Sequence, residues 1–108
     1  MKRNSVILIP ALNPDKELIQ YIQELKRNGF DDIIVVNDGS SVEHLDIFER
    51  AKQMDCKVLQ HAVNLGKGRA LKNGFNEFLN LYQDNPDILG IITVDSDGQH
   101  AVKDVIQI

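Results

Sequence analysis

The chain is poor in the residues that would mark a secreted, membrane or nucleic-acid-binding protein. It has one cysteine, Cys56, in 108 residues, so no internal disulfide can form and no thiol cluster exists to hold zinc. A reducing cytosol is the expected setting. Basic residues are in deficit, 12 Lys and Arg against 16 Asp and Glu, for a net charge of −4; a nucleic-acid partner is therefore not expected. The longest apolar runs, residues 6–12 and 88–94, fall far short of the roughly 20 residues that cross a bilayer. The first residues carry no apolar leader or small-residue cleavage site, so a cytoplasmic location is expected, and any membrane contact would come through regions outside these residues.

What the chain does have is ordinary globular material: 43% hydrophobic and 26% charged residues. That is enough for one small domain, which at this length buries roughly 60–65% of its unfolded surface.

The apolar residues come in a repeating order. Residues 6–9 form a β-branched and aliphatic run suited to a strand covered on both faces. Asn13 and Pro14 then read as the cap and first position of a helix whose Leu18, Ile19, Ile22 and Leu25 share one face and which Gly29 ends. Residues 33–36 repeat the strand, followed by a turn and by Leu45, Phe48, Ala51 and Met54 at helical spacing. Residues 57–60 form a third strand, and Leu71, Phe75, Phe78 and Tyr82 a third helix that Asn85 and Pro86 end. A fourth run, residues 88–94, is interrupted by Gly90, and residues 102–106 show one more short helical pattern. The expectation is an α/β fold, a Rossmann-like doubly wound and mostly parallel sheet of about four strands alternating with helices.

In such sheets ligands bind beyond the carboxyl ends of the strands, near the point where strand order reverses. The polar motifs fall there: Asn13 after the first strand, Asn37 and Asp38 after the second, Asn64 to Arg69 after the third, and Asp95 to His100 after the fourth. Asp95 and Asp97, two apart in an extended segment, can present both carboxylates on one side. Such an oxygen-rich pair suits Mg²⁺ or Mn²⁺ shared with a diphosphate, and Gln99 adds a further oxygen. Alone, the same residues also make an ordinary turn. Asp38 can accept a hydrogen bond from a pyrimidine imide or a ribose hydroxyl, or it can form a turn that leads into the next helix. Gly66, Lys67, Gly68 and Arg69 open a helix, where backbone N–H groups, the helix dipole and two cations can face an anion. They match neither a Walker A loop nor the GxGxxG fingerprint. His44, His61 and His100 show no metal-ligand spacing and read as surface or internally satisfied histidines.

Taken together, residues 6–13 (VILIPALN), 35–41 (VVNDGSS), 64–68 (NLGKG) with Ala70 and Gly74, and 95–100 (DSDGQH) resemble the ordered motifs of family 2 of the inverting glycosyltransferases, with the GT-A fold, and in particular the dolichol-phosphate and polyprenol-phosphate sugar transferases. The resemblance covers almost the whole chain. It implies transfer of a sugar, with inversion, from a nucleoside-diphosphate donor to a hydroxyl or lipid phosphate. Nucleotide-sugar binding passes to Pro10, Leu12, Val36, Asp38, Lys67, Arg69, Asp95 and Ser96, and Mg²⁺ or Mn²⁺ binding to Asp95, Asp97 and Gln99. Leu12 stands where the family often has tyrosine, Pro14 where it has glutamate, Asn37 where it has aspartate and Ser96 where it has alanine; Asp15 is the nearest substitute for the missing glutamate.

On this resemblance residues 1–108 are the nucleotide-sugar-binding part of a GT-A domain. The acceptor half, with the carboxylate that deprotonates a hydroxyl acceptor, is expected after Ile108, so this stretch alone is expected to bind donor without turnover. Two rivals are a non-catalytic nucleotide-binding module and a sugar nucleotidyltransferase. The latter would carry a glycine-rich, arginine-containing loop directly after the first strand, and residues 10–14 have neither glycine nor arginine.

Overall fold

A computed structural model describes residues 3–96. The chain runs β1 (Ser5–Ala11), α1 (Lys16–Arg27), β2 (Ile33–Asp38), a 3₁₀ turn (Val42–His44), α2 (Leu45–Gln53), β3 (Lys57–His61), α3 (Lys67–Tyr82) and β4 (Gly90–Thr93). All strand pairs are parallel and the sheet order is β3-β2-β1-β4. This is the expected α/β architecture. The pattern at residues 102–106 lies outside the described residues.

The alternation of side chains along the two central strands sorts the core into two halves. Ile7, Ile9, Ala11, Ile33 and Val35 point to one face, where α1 contributes Leu18, Ile22 and Leu25 and α2 contributes Ile47, Phe48 and Ala51. Val6, Leu8, Ile34 and Val36 point to the other, covered by Ala70, Leu71, Phe78 and Tyr82 of α3. Both faces are thus apolar, and β2 is buried at every position. The close approach of α3 depends on Gly74: a Cβ there would lie 2.4 Å from Leu8 Cδ1.

Three boundaries differ from the sequence reading. Helix α1 is capped by Asp15, whose carboxylate accepts the Glu17 N–H. Asn13 is not the cap. It takes a left-handed φ of 51° and is used in a tertiary latch: its N–H donates to Ser40 Oγ at 2.9 Å, and its Oδ1 accepts the Ser41 N–H at 2.8 Å. Gly29, at φ 92°, follows α1 as expected. Strand β4 is shorter than the apolar run that predicted it, and Gly90 starts it instead of breaking it; Leu89 just before it is exposed.

The chain adds strands outward from β1 to β3 and then returns through α3 to the opposite side of β1, so strand order reverses between β1 and β4. There the two strands also part. The last hydrogen bond between them runs from Val94 N–H to Leu8 O at 3.0 Å. The next rung of a parallel ladder would require an N–H at residue 10, and Pro10 has none. Strand β1 stays paired with β2 up to Ala11 and Asn37, so the fork opens on the β4 side only.

Candidate functional site

The fork leads into a cleft of about 430 Å³ at the carboxyl edge of the sheet. Strand β1 contributes Pro10 and Ala11, with Leu12 just after it; β2 contributes Asp38; the loop after β3 contributes Asn64 and Gly66 and the first turn of α3 Lys67 and Ala70; and Asp95 and Ser96 follow β4. Six of the eight residues expected to bind nucleotide sugar therefore share one cavity. The other two do not line it. Val36 is fully buried in the core beneath α3, because its position in β2 points it into the sheet face, and Arg69 is exposed on α3. Of the expected metal ligands only Asp95 is described; Asp97 and Gln99 lie outside the described residues, as does His100. Among the described residues no group of three or more His, Cys, Asp or Glu is arranged to hold a metal.

Asp38 is the most constrained group in the cleft. It is 4% exposed and closes β2 opposite His61, its register partner on β3. Its Oδ1 accepts His61 Nδ1–H at 2.8 Å and Leu65 N–H at 2.9 Å, and its Oδ2 accepts Gly66 N–H at 3.0 Å. Burial pushes the carboxyl pKa up, but the hydrogen bonds from His61, Leu65 and Gly66 outweigh it and hold it below its ordinary value. The turn reading of Asp38 is thus only half the account: the carboxylate secures the loop after β3, while the turn after β2 is secured by Asn37, whose Oδ1 accepts Ser40 N–H at 2.9 Å. Gly39, at φ 74°, carries that turn directly beneath Val63 and Asn64.

The same loop delivers the N-terminus of α3. Gly66 caps it at φ 95° and Lys67 is its first residue. The first amides of any helix lack intrahelical acceptors and carry the positive end of its dipole, so this end of the cleft favours an anion. Lys67 Nζ reaches across to Asp95 Oδ1 at 2.8 Å. The pair is 64% and 33% exposed, and an exposed pair of this kind contributes about 0.2–1 kcal/mol, so it can open when a ligand offers either partner something better.

Two histidines expected to be internally satisfied are so. His44 Nδ1–H donates to Pro14 O at 2.9 Å, and His61 lies between Asp38 and Asn73, whose Nδ2 sits 2.8 Å from His61 Nε2. Asp15, the nearest substitute for the family's glutamate, caps α1 with its carboxylate. Asn64 lines the cleft, as its place among the strand-end polar residues implied. Sequence reasoning gave no role to Asn73, whose signal becomes visible only once parallel pairing sets Asp38 beside His61 and α3 lies over that pair.

Among the described residues no helix is long and apolar enough to cross a membrane. The family model for glycosyl transferase family 2 matches residues 6–107. An uncharacterized protein of Methanocaldococcus jannaschii is 40% identical over 99 residues, 92% of this chain and 37% of its own length. The UDP-N-acetylglucosamine--dolichyl-phosphate N-acetylglucosaminyltransferase of Methanococcus voltae is 29% identical over 116 residues, covering 94% of this chain and 44% of its own length. A second uncharacterized M. jannaschii protein is 28% identical over 93% of this chain and 43% of its own length. The chain thus spans less than half the length of these curated relatives. With the family match running from the first strand past the last one, and with the strand-end residues that carry the resemblance gathered at the fork of one sheet, the chain belongs to glycosyl transferase family 2.

Proposed function

We propose that this chain forms the donor site of a metal-dependent, inverting glycosyltransferase that takes a nucleoside-diphosphate sugar, with uridine as its nucleoside, and passes the sugar to a polyprenyl phosphate. The observation that carries the proposal is the division of one cleft into two chemically distinct parts, a buried acceptor at Asp38 and a cationic helix N-terminus at Lys67 facing Asp95. The first suits the imide N–H of a pyrimidine and the second a diphosphate. The M. voltae relative is named for a UDP-sugar and a dolichyl phosphate, which supports this choice of donor and acceptor.

Asp95, with Asp97 and Gln99, would hold the Mg²⁺ or Mn²⁺. Asp95 fits that role, because its carboxylate is partly open at the cleft wall and already accepts a cation, the Lys67 ammonium. The metal would supply positive charge to neutralise the departing diphosphate. The backbone amides at the start of α3 and Lys67 would hold the diphosphate oxygens from the other side. The reaction is one displacement. An acceptor oxygen forms the new bond to the anomeric carbon from the face opposite the diphosphate, and the bond from that carbon to the diphosphate breaks. A lipid phosphate brings an oxygen that is already anionic, so that acceptor needs no general base; a hydroxyl acceptor would.

Calorimetric titration of UDP, GDP and CDP, with and without Mn²⁺, tests the assignment on the wild-type chain, Asp97→Ala and Lys67→Met. UDP is expected to bind more tightly with Mn²⁺, the metal enhancement to vanish in Asp97→Ala, and UDP affinity to fall about tenfold or more in Lys67→Met, as for loss of one charge-assisted contact. Absence of metal-enhanced binding to any of the three nucleotides refutes the donor-site reading.

A further inference from the structure

Behind the cleft wall three polar side chains from three elements, two of them buried and the third half-buried, form a line that donor binding as described does not require. Asp38 ends β2, His61 ends β3 beside it, and Asn73 lies in the second turn of α3 above them. The side chains of His61 and Asp38 are 8% and 6% exposed. Asn73 presents its amide nitrogen to His61 Nε2 at 2.8 Å. An amide nitrogen only donates, so Nε2 must accept. The ring is then neutral with its proton on Nδ1, the nitrogen that donates to Asp38 Oδ1 at 2.8 Å. Asn73 thus sets the tautomer, and the tautomer sets the direction of the bond to Asp38.

The consequence is a count of acceptor positions. A carboxylate has about four lone-pair directions. His61 and Leu65 fill both on Oδ1, and Gly66 fills one on Oδ2. Among the described residues this leaves one, on Oδ2, for a ligand. Uracil offers a single imide N–H. Guanine offers two parallel donors, N1–H and N2–H, that need both oxygens of a carboxylate.

We propose that His61 and Asn73 are positioning residues for base recognition, which by occupying Oδ1 and fixing the carboxylate plane make the Asp38 site a reader of one donor and so exclude guanine. The proposal rests on the nucleoside-binding reading given above, and its test separates the two. UDP and GDP affinities in the presence of Mn²⁺ are measured on the wild-type chain and on His61→Phe, His61→Gln and Asn73→Leu, each with a thermal melt and, for the chains that keep His61, its ¹⁵N ring signals. The wild type is expected to prefer UDP by roughly ten- to a hundredfold, the consequence of leaving one guanine N–H unpaired, and to show the neutral Nδ1–H tautomer at neutral pH. In His61→Phe the preference should collapse toward one, because an acceptor position opens on Oδ1 and each oxygen, still held by Leu65 or Gly66, can then take one donor. His61→Gln, which keeps an N–H donor, should restore most of it. In Asn73→Leu the ring signals should leave the pure Nδ1–H pattern and the preference should fall between the two.

If the wild type binds neither nucleotide, the donor-site reading fails and this proposal falls with it. If it binds UDP and GDP equally, or if His61→Phe lowers both affinities in step with its melting temperature and keeps their ratio, the donor site stands and the positioning role is overturned. A wild-type ring protonated on Nε2 overturns it as well. Should His61→Phe fail to fold, Asn73→Leu carries the comparison, and an unchanged ratio there decides against the proposal.

Discussion

Replacing Gly39 by alanine tests the claim that the turn after β2 and the loop after β3 are held in direct contact. Gly39 has a φ of 74°, and a Cβ there would lie 2.2 Å from the carbonyl carbon of Val63, 2.3 Å from Asn64 N and 2.7 Å from Val63 O. All three are backbone atoms, so no rotamer change relieves the clash; the loop must retreat by about 1 Å to reach ordinary contact. The left-handed backbone alone costs an alanine about 1–2 kcal/mol. The retreat also draws Leu65 and Gly66 from the Asp38 carboxylate, whose bonds to them are 2.9 and 3.0 Å long, and losing one hydrogen bond to a charged acceptor costs about 1.5–3 kcal/mol more. The total, about 3–5 kcal/mol, is a large share of the roughly 5–15 kcal/mol that stabilises a domain. It should lower the melting temperature by on the order of 15–25 °C. Gly66 is the control. It has φ 95° and ψ 157°, but a Cβ added there would meet nothing within 4 Å, so Gly66→Ala should bear only the backbone cost, about 1–3 kcal/mol in that region, and lose roughly 5–15 °C. Thermal melts of the two variants followed by circular dichroism decide the matter: equal losses would mean that the close approach of the two loops contributes nothing.

Two further outcomes are expected. Gly74→Ala sets its Cβ against Leu8, which is fully buried and cannot swing away. Overpacking of about 1–3 kcal/mol should outweigh the roughly 1 kcal/mol gained in helix propensity, and a Leu8→Ala, Gly74→Ala double variant measured by urea unfolding should lose less than the sum of the singles. The Cys56 thiol, pushed up to about 11 chiefly by burial, with Lys26 lowering it and Asp55 raising it, should resist thiol reagents at pH 8 until the chain is unfolded. Since the folded pKa lies above the unfolded value near 9, the stability tied to this group is complete below pH 9 and is lost as pH rises toward 11. Urea midpoints of the wild type and Cys56→Ala across pH 8–11 should therefore converge as pH rises, and parallel curves would show that the thiol does not titrate with folding.

The parts of the fold that could be read from the sequence were those set by short-range rules. The aliphatic runs at the first two strands are buried as predicted, and the helical stripes of α1 and α2 face the sheet, because periodic burial leaves a periodic pattern. Where local and tertiary bonding compete, the sequence misled. Asn13 followed by Pro14 has the form of a helix start, yet the Asn13 side chain bonds across to Ser41 and leaves capping to Asp15. Residues 88–94 form one apolar run, but only four of them pair with β1. The placement of Asp38 and Lys67 at one cleft followed from strand ends converging at the sheet edge. That Asp38 is already bonded three times was hidden, since its partners come 23 to 28 residues later and meet it only through strand register.

In the proposed donor site Asp38 would face the ligand while it also holds the wall of the cleft, which bears on how such a site can diverge. A recognition residue with no structural duties can be exchanged freely as ligand preference drifts. Here an exchange would release Leu65, Gly66 and the start of α3 together, so selection for a new base would first meet a folding defect. Change is open instead at Leu12, which is 46% exposed on the cleft lip. Neighbouring side chains of that kind can vary in bulk and polarity while the carboxylate stays fixed, so the family's capacity to diversify would lie along the rim and its constancy at the base.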